Sequence, residues 1–380
     1  MVNIVIMNST FLNQDEFAKQ WTSNIDQASE KILQLFFYTK FFPIFSLLFG
    51  LGISMQALKL KTNNKIPFSF FARRMLVLFV IGVIHIVFIW SGDVLNLYAI
   101  LGLLVTLLVS RSNKLILFLS GFFLLFPFYD QIFSSIFEIV NFNPGSYLKN
   151  YDGAEVNRVI SEGTYFEGIK LRVLEYLTNI PMLFGFLAPI ALSMFLLGIY
   201  LGKNQIYKSL KPFIKKISLP IIIITILTNI YRVAFLFLLP QFEIYHNENF
   251  RPYFIKLMIV SDVVTGIFYL WIIGWLWYNT KFRKILKPLK YAGRMALTNY
   301  IMQSLIGLII FSSIGFALYE TMSPSETLIT AIAVFCFQVI FSKIWLTFFK
   351  FGPLEWIWRC FTYKKVLPIK KSEQSTVPNI

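Results

Sequence analysis

Residues 217–239 read ISLPIIIITILTNIYRVAFLFLL, 23 positions with one charge, Arg232, and they follow a run of five lysines from Lys203 to Lys216. At about 1.5 Å of rise per residue, an α-helix of this length crosses the roughly 30 Å hydrocarbon layer of a bilayer. Eight further apolar runs lie on either side of it, at 41–59, 75–92, 95–110, 114–129, 183–201, 256–278, 296–318 and 326–349. The whole chain of 380 residues is 57% hydrophobic, 18% aromatic and 14% charged. That leaves too little charge to cover a water-soluble surface. The sequence therefore predicts an all-α fold, a polytopic transmembrane helical bundle of about nine spans whose first partner is the lipid bilayer.

Charge gives the bundle a direction. If the loops alternate sides, 24 of the 35 Lys and Arg fall on one side, with only Glu355 and Glu373 as acids. The positive-inside rule makes that side cytoplasmic and puts the C-terminus there. It also accounts for the formal charge of +16 without nucleic acid. The chain then divides into an extracytoplasmic segment 1–40, four spans in 41–129, an extracytoplasmic segment 130–182, five spans in 183–349 and a basic tail 350–380. Residues 1–8 read like the last turns of a span and are too short to cross alone. Segment 130–182 has helix-compatible spacing and reads equally as a cap on the bundle or as a solvated loop. Pro43-Ile44, Phe49 and Leu51-Gly52-Ile53 recur at the same spacing as Pro189-Ile190, Phe195 and Leu197-Gly198-Ile199, a weak internal echo. Cys336 and Cys360 offer no disulfide framework, and residues 372–380 read as a polar, unpatterned tail.

Ionisable groups inside the membrane are costly, so each is a candidate for function. His85, Arg232 and Asp262 fall at one depth, about 10 Å below the extracytoplasmic surface. Arg232 and Asp262 lie on consecutive antiparallel helices, where a bidentate ion pair would tie the two together. A neutral imidazole is the usual general base near pH 7, which makes His85 the catalytic candidate, although a lone histidine on an apolar face also serves as core. Asp93 follows eight residues later. On a continuous helix about 12 Å of axis would separate the two, so Asp93 would orient His85 only through water or a third group; Trp90-Ser91-Gly92-Asp93 also reads as a turn. A second polar level near the cytoplasm collects Asn299, Tyr300, Gln303, Ser304, Gln338 and Lys343. These read as helix-helix glue, with Lys343 snorkelling, or as a vestibule with Arg73, Arg74 and Arg294 at its rim as phosphate binders. The sequence has no P-loop, metal-ligand cluster, Gly-x-Ser-x-Gly or dinucleotide fingerprint.

Several strings are more specific. FSLLFGLG (45–52), His85 with WSGDVL (90–95) and LYA (97–99), GRMALTNY (293–300) with QSL (303–305), and GPLEWIWR (352–359) together resemble the YeiB family of bacterial inner-membrane proteins, whose C-terminal domain has no assigned function. The resemblance covers about residues 1 to 363. It implies a multi-pass protein of the bacterial cell membrane, with ten spans and both ends inside. Members begin with an Arg-Gly-containing helix ending in Asn-Ile, of which Asn3-Ile4 remains here, so the first span reads as truncated.

The family is distantly similar to transmembrane acyltransferases, among them the acyltransferase-3 group and the lysosomal enzyme that acetylates heparan glucosamine. That similarity implies transfer of an acyl group from cytoplasmic acyl-CoA to a small-molecule acceptor on the far side, with no bound cofactor. The histidine that serves the heparan enzyme follows its first span, and the corresponding stretch Asn8–Glu16 holds none, so the role of base passes to His85 by inference. The expectation is then His85 as base, Asp93 as helper, and Arg73, Arg74, Arg294, Asn299, Gln303 and Lys343 on the donor side. The alternative is a transporter or permease in which Arg232 and Asp262 bind substrate or couple protons. Association with further copies of the chain stays open.

Overall fold

The computed structural model describes residues 2–9, 17, 19–61, 67–278 and 280–371. Lys65, residues 10–16 of the stretch Asn8–Glu16, and the tail 372–380 with Glu373 lie outside the described residues. Regular structure among those described is helical, apart from an isolated antiparallel bridge between Phe349 and Lys370.

Along the chain come α1 (Val2–Met7), α2 (Asn24–Phe36), α3 (Phe41–Leu60), α4 (Phe68–Phe88), α5 (Leu95–Leu108), α6 (Asn113–Leu125) and α7 (Tyr129–Ile139). The middle holds α8 (Gly153–Ser161) and α9 (Tyr165–Thr178), then a π-helical turn at Met182–Leu187 running into α10 (Ala188–Lys203). The rest is α11 (Leu210–Phe237), α12 (Glu243–His246), α13 (Arg251–Tyr278), α14 (Thr280–Leu286), α15 (Leu289–Arg294), α16 (Ala296–Phe311), α17 (Pro324–Phe348) and α18 (Pro353–Tyr363). Each of the nine apolar runs thus forms helix over most of its length.

By length and apolarity, six helical segments suffice to cross a bilayer: Asn24–Leu60, Phe68–Phe88, Met182–Lys203, Ile206–Gln241, Arg251–Tyr278 and Pro324–Phe348. A seventh arises if α6 and α7 form one span bent by 81°, with Pro127 at the break, where the ring and missing N–H interrupt a helix. The expected runs 95–110 and 296–318 appear as the shorter apolar helices α5 and α16. On α11, Leu219, Ile223, Ile226, Leu227 and Ile230 all face outward. So large an apolar surface is at home only against lipid, and the protein is a membrane protein.

α3 and α10 cross in close contact. A Cβ on Gly50 would sit 2.1 Å from the Phe195 carbonyl oxygen, and one on Gly198 would sit 2.1 Å from that of Leu47. Small residues let the two backbones touch, which is how helices gain packing where lipid supplies no hydrophobic drive. The two stretches that echo one another in sequence are therefore direct packing partners. Ile53, Phe195, Leu196 and Ile199 extend this contact into the main core with Met75, Leu78 and Val105.

Segment 130–182 folds as helices. Its α8 and α9 are each capped at the start by a side chain, Asp152 and Thr164, and bury Val156, Val159 and Leu171 between them. α9 also packs on α4, the helix that carries His85.

Candidate functional site

Burial first isolates His85, which is 1% exposed near the end of α4. The helix stops at Phe88, and residues 89–94 reverse the chain so that Asp93 folds back beside the imidazole. Asp93 Oδ1 lies 2.8 Å from His85 Nδ1. The expectation of contact only through water or a third group is thus corrected: it assumed a continuous helix, and the turn removes the axial separation.

The carboxylate is held on every side. Oδ1 also accepts from Tyr300 Oη at 3.1 Å, while Oδ2 accepts from the backbone N–H of Leu95 at 2.8 Å and of Asn96 at 3.3 Å, capping α5. An acceptor with four donors aimed at it fixes the neighbouring ring as the Nδ1–H tautomer, leaving Nε2 with its lone pair. Nε2 is buried and has no hydrogen-bond partner among the described residues. This is the arrangement of an oriented general base. Gly82 permits it from one turn below, since a Cβ there would come within 2.7 Å of Asn96 N and 2.9 Å of Asp93 Oδ2. Tyr300, expected at the cytoplasmic level, reaches the His85 level instead, its ring centroid 5.3 Å from that of the imidazole.

A cavity of about 1880 Å³ runs alongside. Its wall includes Trp90, Asp93 and Tyr300 at one end and Arg74 and Trp358 at the other, with mostly apolar side chains between. His85 itself stands one layer behind this wall, its ring edge-on to Trp90 with the centroids 6.3 Å apart.

At the basic end the expected donor-side residues separate. Arg74 lines the cavity with its guanidinium 3.7 Å from the Trp358 ring centroid. Asn299 and Gln303 line it as well; Asn299 is tied to Ala292 O and Ser342 Oγ and its own carbonyl to Gln338, whereas Gln303 makes no side-chain hydrogen bond among the described residues. Three other candidates lie off the wall. Arg73 donates from Nε to Thr362 O at 3.3 Å, exposed Arg294 donates to Lys350 O at 3.0 Å, and Lys343 points outward from α17. The expected vestibule is corrected to that extent, because α18 lies against α4 and takes up the first of them.

Arg232 and Asp262 do meet, but as part of a larger group. Arg232 Nε is 2.9 Å and Lys40 Nζ 3.1 Å from Asp262 Oδ1. Arg232 sends its Nη atoms to the carbonyls of Leu35 (2.7 Å) and Gln34 (3.3 Å) and to Asn229 Oδ1 (2.7 Å). Lys40 adds a bond to Gln34 O at 2.7 Å. The expected bidentate pair is thereby replaced by two cations sharing one carboxylate, with the excess positive charge set against the carbonyl end of α2, where the helix dipole favours it. Thr39, at φ 66°, makes the tight turn into α3 and places its hydroxyl against the same Asp262. None of the three charges lines the cavity.

Sequence reasoning missed the role of α9. Arg172 Nε donates to Val87 O at 3.1 Å and Tyr165 Oη to Phe88 O at 2.6 Å, which satisfies the last carbonyls of α4. Ser91 Oγ donates to Glu175 Oε2 at 2.7 Å, and Asn96 bonds the Tyr176 hydroxyl. These four contacts hold the turn that holds Asp93. Burial pushes the Glu175 carboxyl above the ordinary carboxylate range and the Arg172 guanidinium below its own. The available signal was the helical spacing of Tyr165, Arg172, Glu175 and Tyr176, which share one side of α9.

Residues 201–365 match the family model described as a protein of unknown function (DUF418). Over 376 residues the chain is 28% identical to the uncharacterized protein YxaH of Bacillus subtilis, covering 96% of this chain and 89% of that one. It is 29% identical over 348 residues to an uncharacterized 39.9 kDa protein in the amylase 3′ region of Bacillus acidopullulyticus, covering 91% and 86%. Over 85 residues it is 39% identical to the uncharacterized protein YeiB of Escherichia coli, 22% of each chain. No solved structure matches it.

Proposed function

The chain belongs to the YeiB family, and on that premise we propose that it is a membrane acyltransferase, moving an acyl group from acyl-CoA to a small acceptor, with His85 as general base. The observation that carries this reading is the Asp93-oriented His85, with Nε2 unpartnered, behind the wall of a cavity that also reaches a stacked arginine at the basic end.

Chemically the step asks little of the protein. His85 Nε2 takes the proton from an acceptor hydroxyl or amine as its oxygen or nitrogen attacks the thioester carbonyl. The new ester or amide bond forms, the C–S bond breaks, and the proton passes to the departing thiolate to give free coenzyme A. Asp93 steadies the imidazolium formed in between, and Tyr300 keeps Asp93 in place. Trp90 must swing aside for the acceptor to reach Nε2. Arg74 serves the donor's phosphates, and the apolar cavity takes the acyl chain.

This reading places the basic end in the cytoplasm of a bacterial cell and the α8–α9 cap on the far side of its inner membrane. Transport through Arg232 and Asp262 has no such support, since both are committed to the Lys40 group and lie off the cavity.

The test is release of coenzyme A from acyl-CoA by the purified protein in lipid. His85→Ala and Asp93→Asn are each expected to lower turnover by about 10²- to 10⁴-fold with folding unchanged. Turnover equal to the parent in His85→Ala would sink the assignment. Orientation is checked in intact cells with Lys211→Cys, which is expected to resist an impermeant thiol reagent until the membrane is opened.

A further inference from the structure

Two side chains on the cavity face of α9, Arg172 and Glu175, carry polar atoms that the described residues leave unused. Arg172 is 9% exposed, and only its Nε is engaged, by Val87 O. Nη2 is buried without a partner, and no described residue accepts from Nη1. Gly168, one turn before, keeps this side open: a Cβ there would come within 3.1 Å of Nη1. The guanidinium rests over Tyr165, 5.2 Å from the ring centroid, which steadies it without neutralising it. Glu175 accepts from Ser91 at Oε2, and its Oε1 has no partner among the described residues.

The two do not ion-pair with each other, although they stand one turn apart on one helix. They feel each other's charge without a direct contact, and a guanidinium and a carboxylate so placed on one cavity wall are complementary to a molecule carrying the opposite charges in the reverse order. The wall beyond them is apolar and roomy, which suits the chains of an amphiphile. Glu175 is also joined through Ser91 to the turn that carries Asp93.

We propose that Arg172 and Glu175 bind a zwitterionic phosphoethanolamine group, with a phosphate oxygen on the Arg172 Nη atoms and the primary ammonium on Glu175 Oε1. The source is either a phosphatidylethanolamine headgroup or the free compound. This binding does not rest on the transferase reading.

The full chain in detergent is titrated with phosphoethanolamine, phosphocholine and inorganic phosphate by calorimetry. Native mass spectrometry then compares phosphatidylethanolamine with phosphatidylcholine of the same chains. In at least one of these formats the ethanolamine form is expected to bind at least about tenfold tighter than the choline form, whose quaternary nitrogen has no N–H to give Glu175. Binding of the lipid alone names the lipid as source, and binding of the free compound alone names the soluble one. Arg172→Gln and Glu175→Gln are each expected to lose that binding, and Arg172→Lys to recover part of it. Tyr165→Phe loosens the same helix by removing the Phe88 bond and should retain it, as should His85→Ala even where turnover is lost. Equal binding of the ethanolamine and choline forms, phosphate bound as tightly as phosphoethanolamine, or binding indifferent to Arg172 and Glu175 would each overturn the proposal.

Discussion

Gly82 shows how one absent side chain can make a site. A methyl group at this position would meet the backbone nitrogen of Asn96 and the Asp93 carboxylate at 2.7 and 2.9 Å. Neither neighbour can yield, one being backbone and the other fixed by four donors. Gly82→Ala is therefore expected to cost about 1–3 kcal/mol in a thermal melt, as overpacking does. It should also push Asp93 off His85 and lower acyl-CoA turnover by about 10²-fold or more. A variant with parental turnover would show that the Asp93 contact does not matter to catalysis. His85 was legible in the sequence because an ionisable group in an apolar helix stands out by its solvation cost alone. Its contact with Asp93 was not legible. An i+8 spacing says the two are apart, and only the reversal at 89–94, held by Arg172, Tyr165 and Glu175 from a distant helix, brings them together.

Elements lock to one another through the strings that carry the family resemblance. Glu355, from GPLEWIWR, accepts at Oε1 from the N–H groups of Leu297 and Thr298 at 2.7 and 3.0 Å, and at Oε2 from the Thr298 hydroxyl at 2.5 Å. It thereby caps α16, whose sequence GRMALTNY supplies those groups, from the start of α18. A carboxylate here also meets the positive end of the helix dipole. Glu355→Ala is expected to destabilise the protein by about 1–3 kcal/mol, the cost of orphaned buried donors, measured as a shift in detergent melting. It should loosen α16 and with it the Tyr300 contact to Asp93, so turnover falls as well. An unshifted melt would show that water satisfies these donors. The helices themselves were readable from the apolar runs, because hydrophobic period and length are local properties. The bend at Pro127, the reach of Tyr300 and the three arginines' different fates were not, since each depends on which helix lies opposite.

Across the whole molecule, the Lys40–Arg232–Asp262 group joins the α2–α3 turn to α11 and α13 at a buried place, with Lys40 and Arg232 each 1% exposed and Asp262 7%. Asp262→Asn would leave two buried cations facing each other. A loss of about 3–5 kcal/mol is expected, seen as a lower melting temperature and poorer membrane accumulation. Normal stability with lost pH-dependent uptake would instead favour the transport reading of this group. From sequence alone followed the all-helical membrane fold and the rank of His85, Arg232 and Asp262 as groups needing an explanation. These are fixed by the cost of placing backbone and charge in hydrocarbon, and that cost is counted along the chain. The tertiary structure alone decided the partners: Asp93 for His85, Lys40 and the α2 carbonyls for the Arg232–Asp262 pair, and the open cavity for Arg172 and Glu175. Pairing energy depends on distance in space, and helices joined by long connections meet in ways their spacing in sequence does not encode.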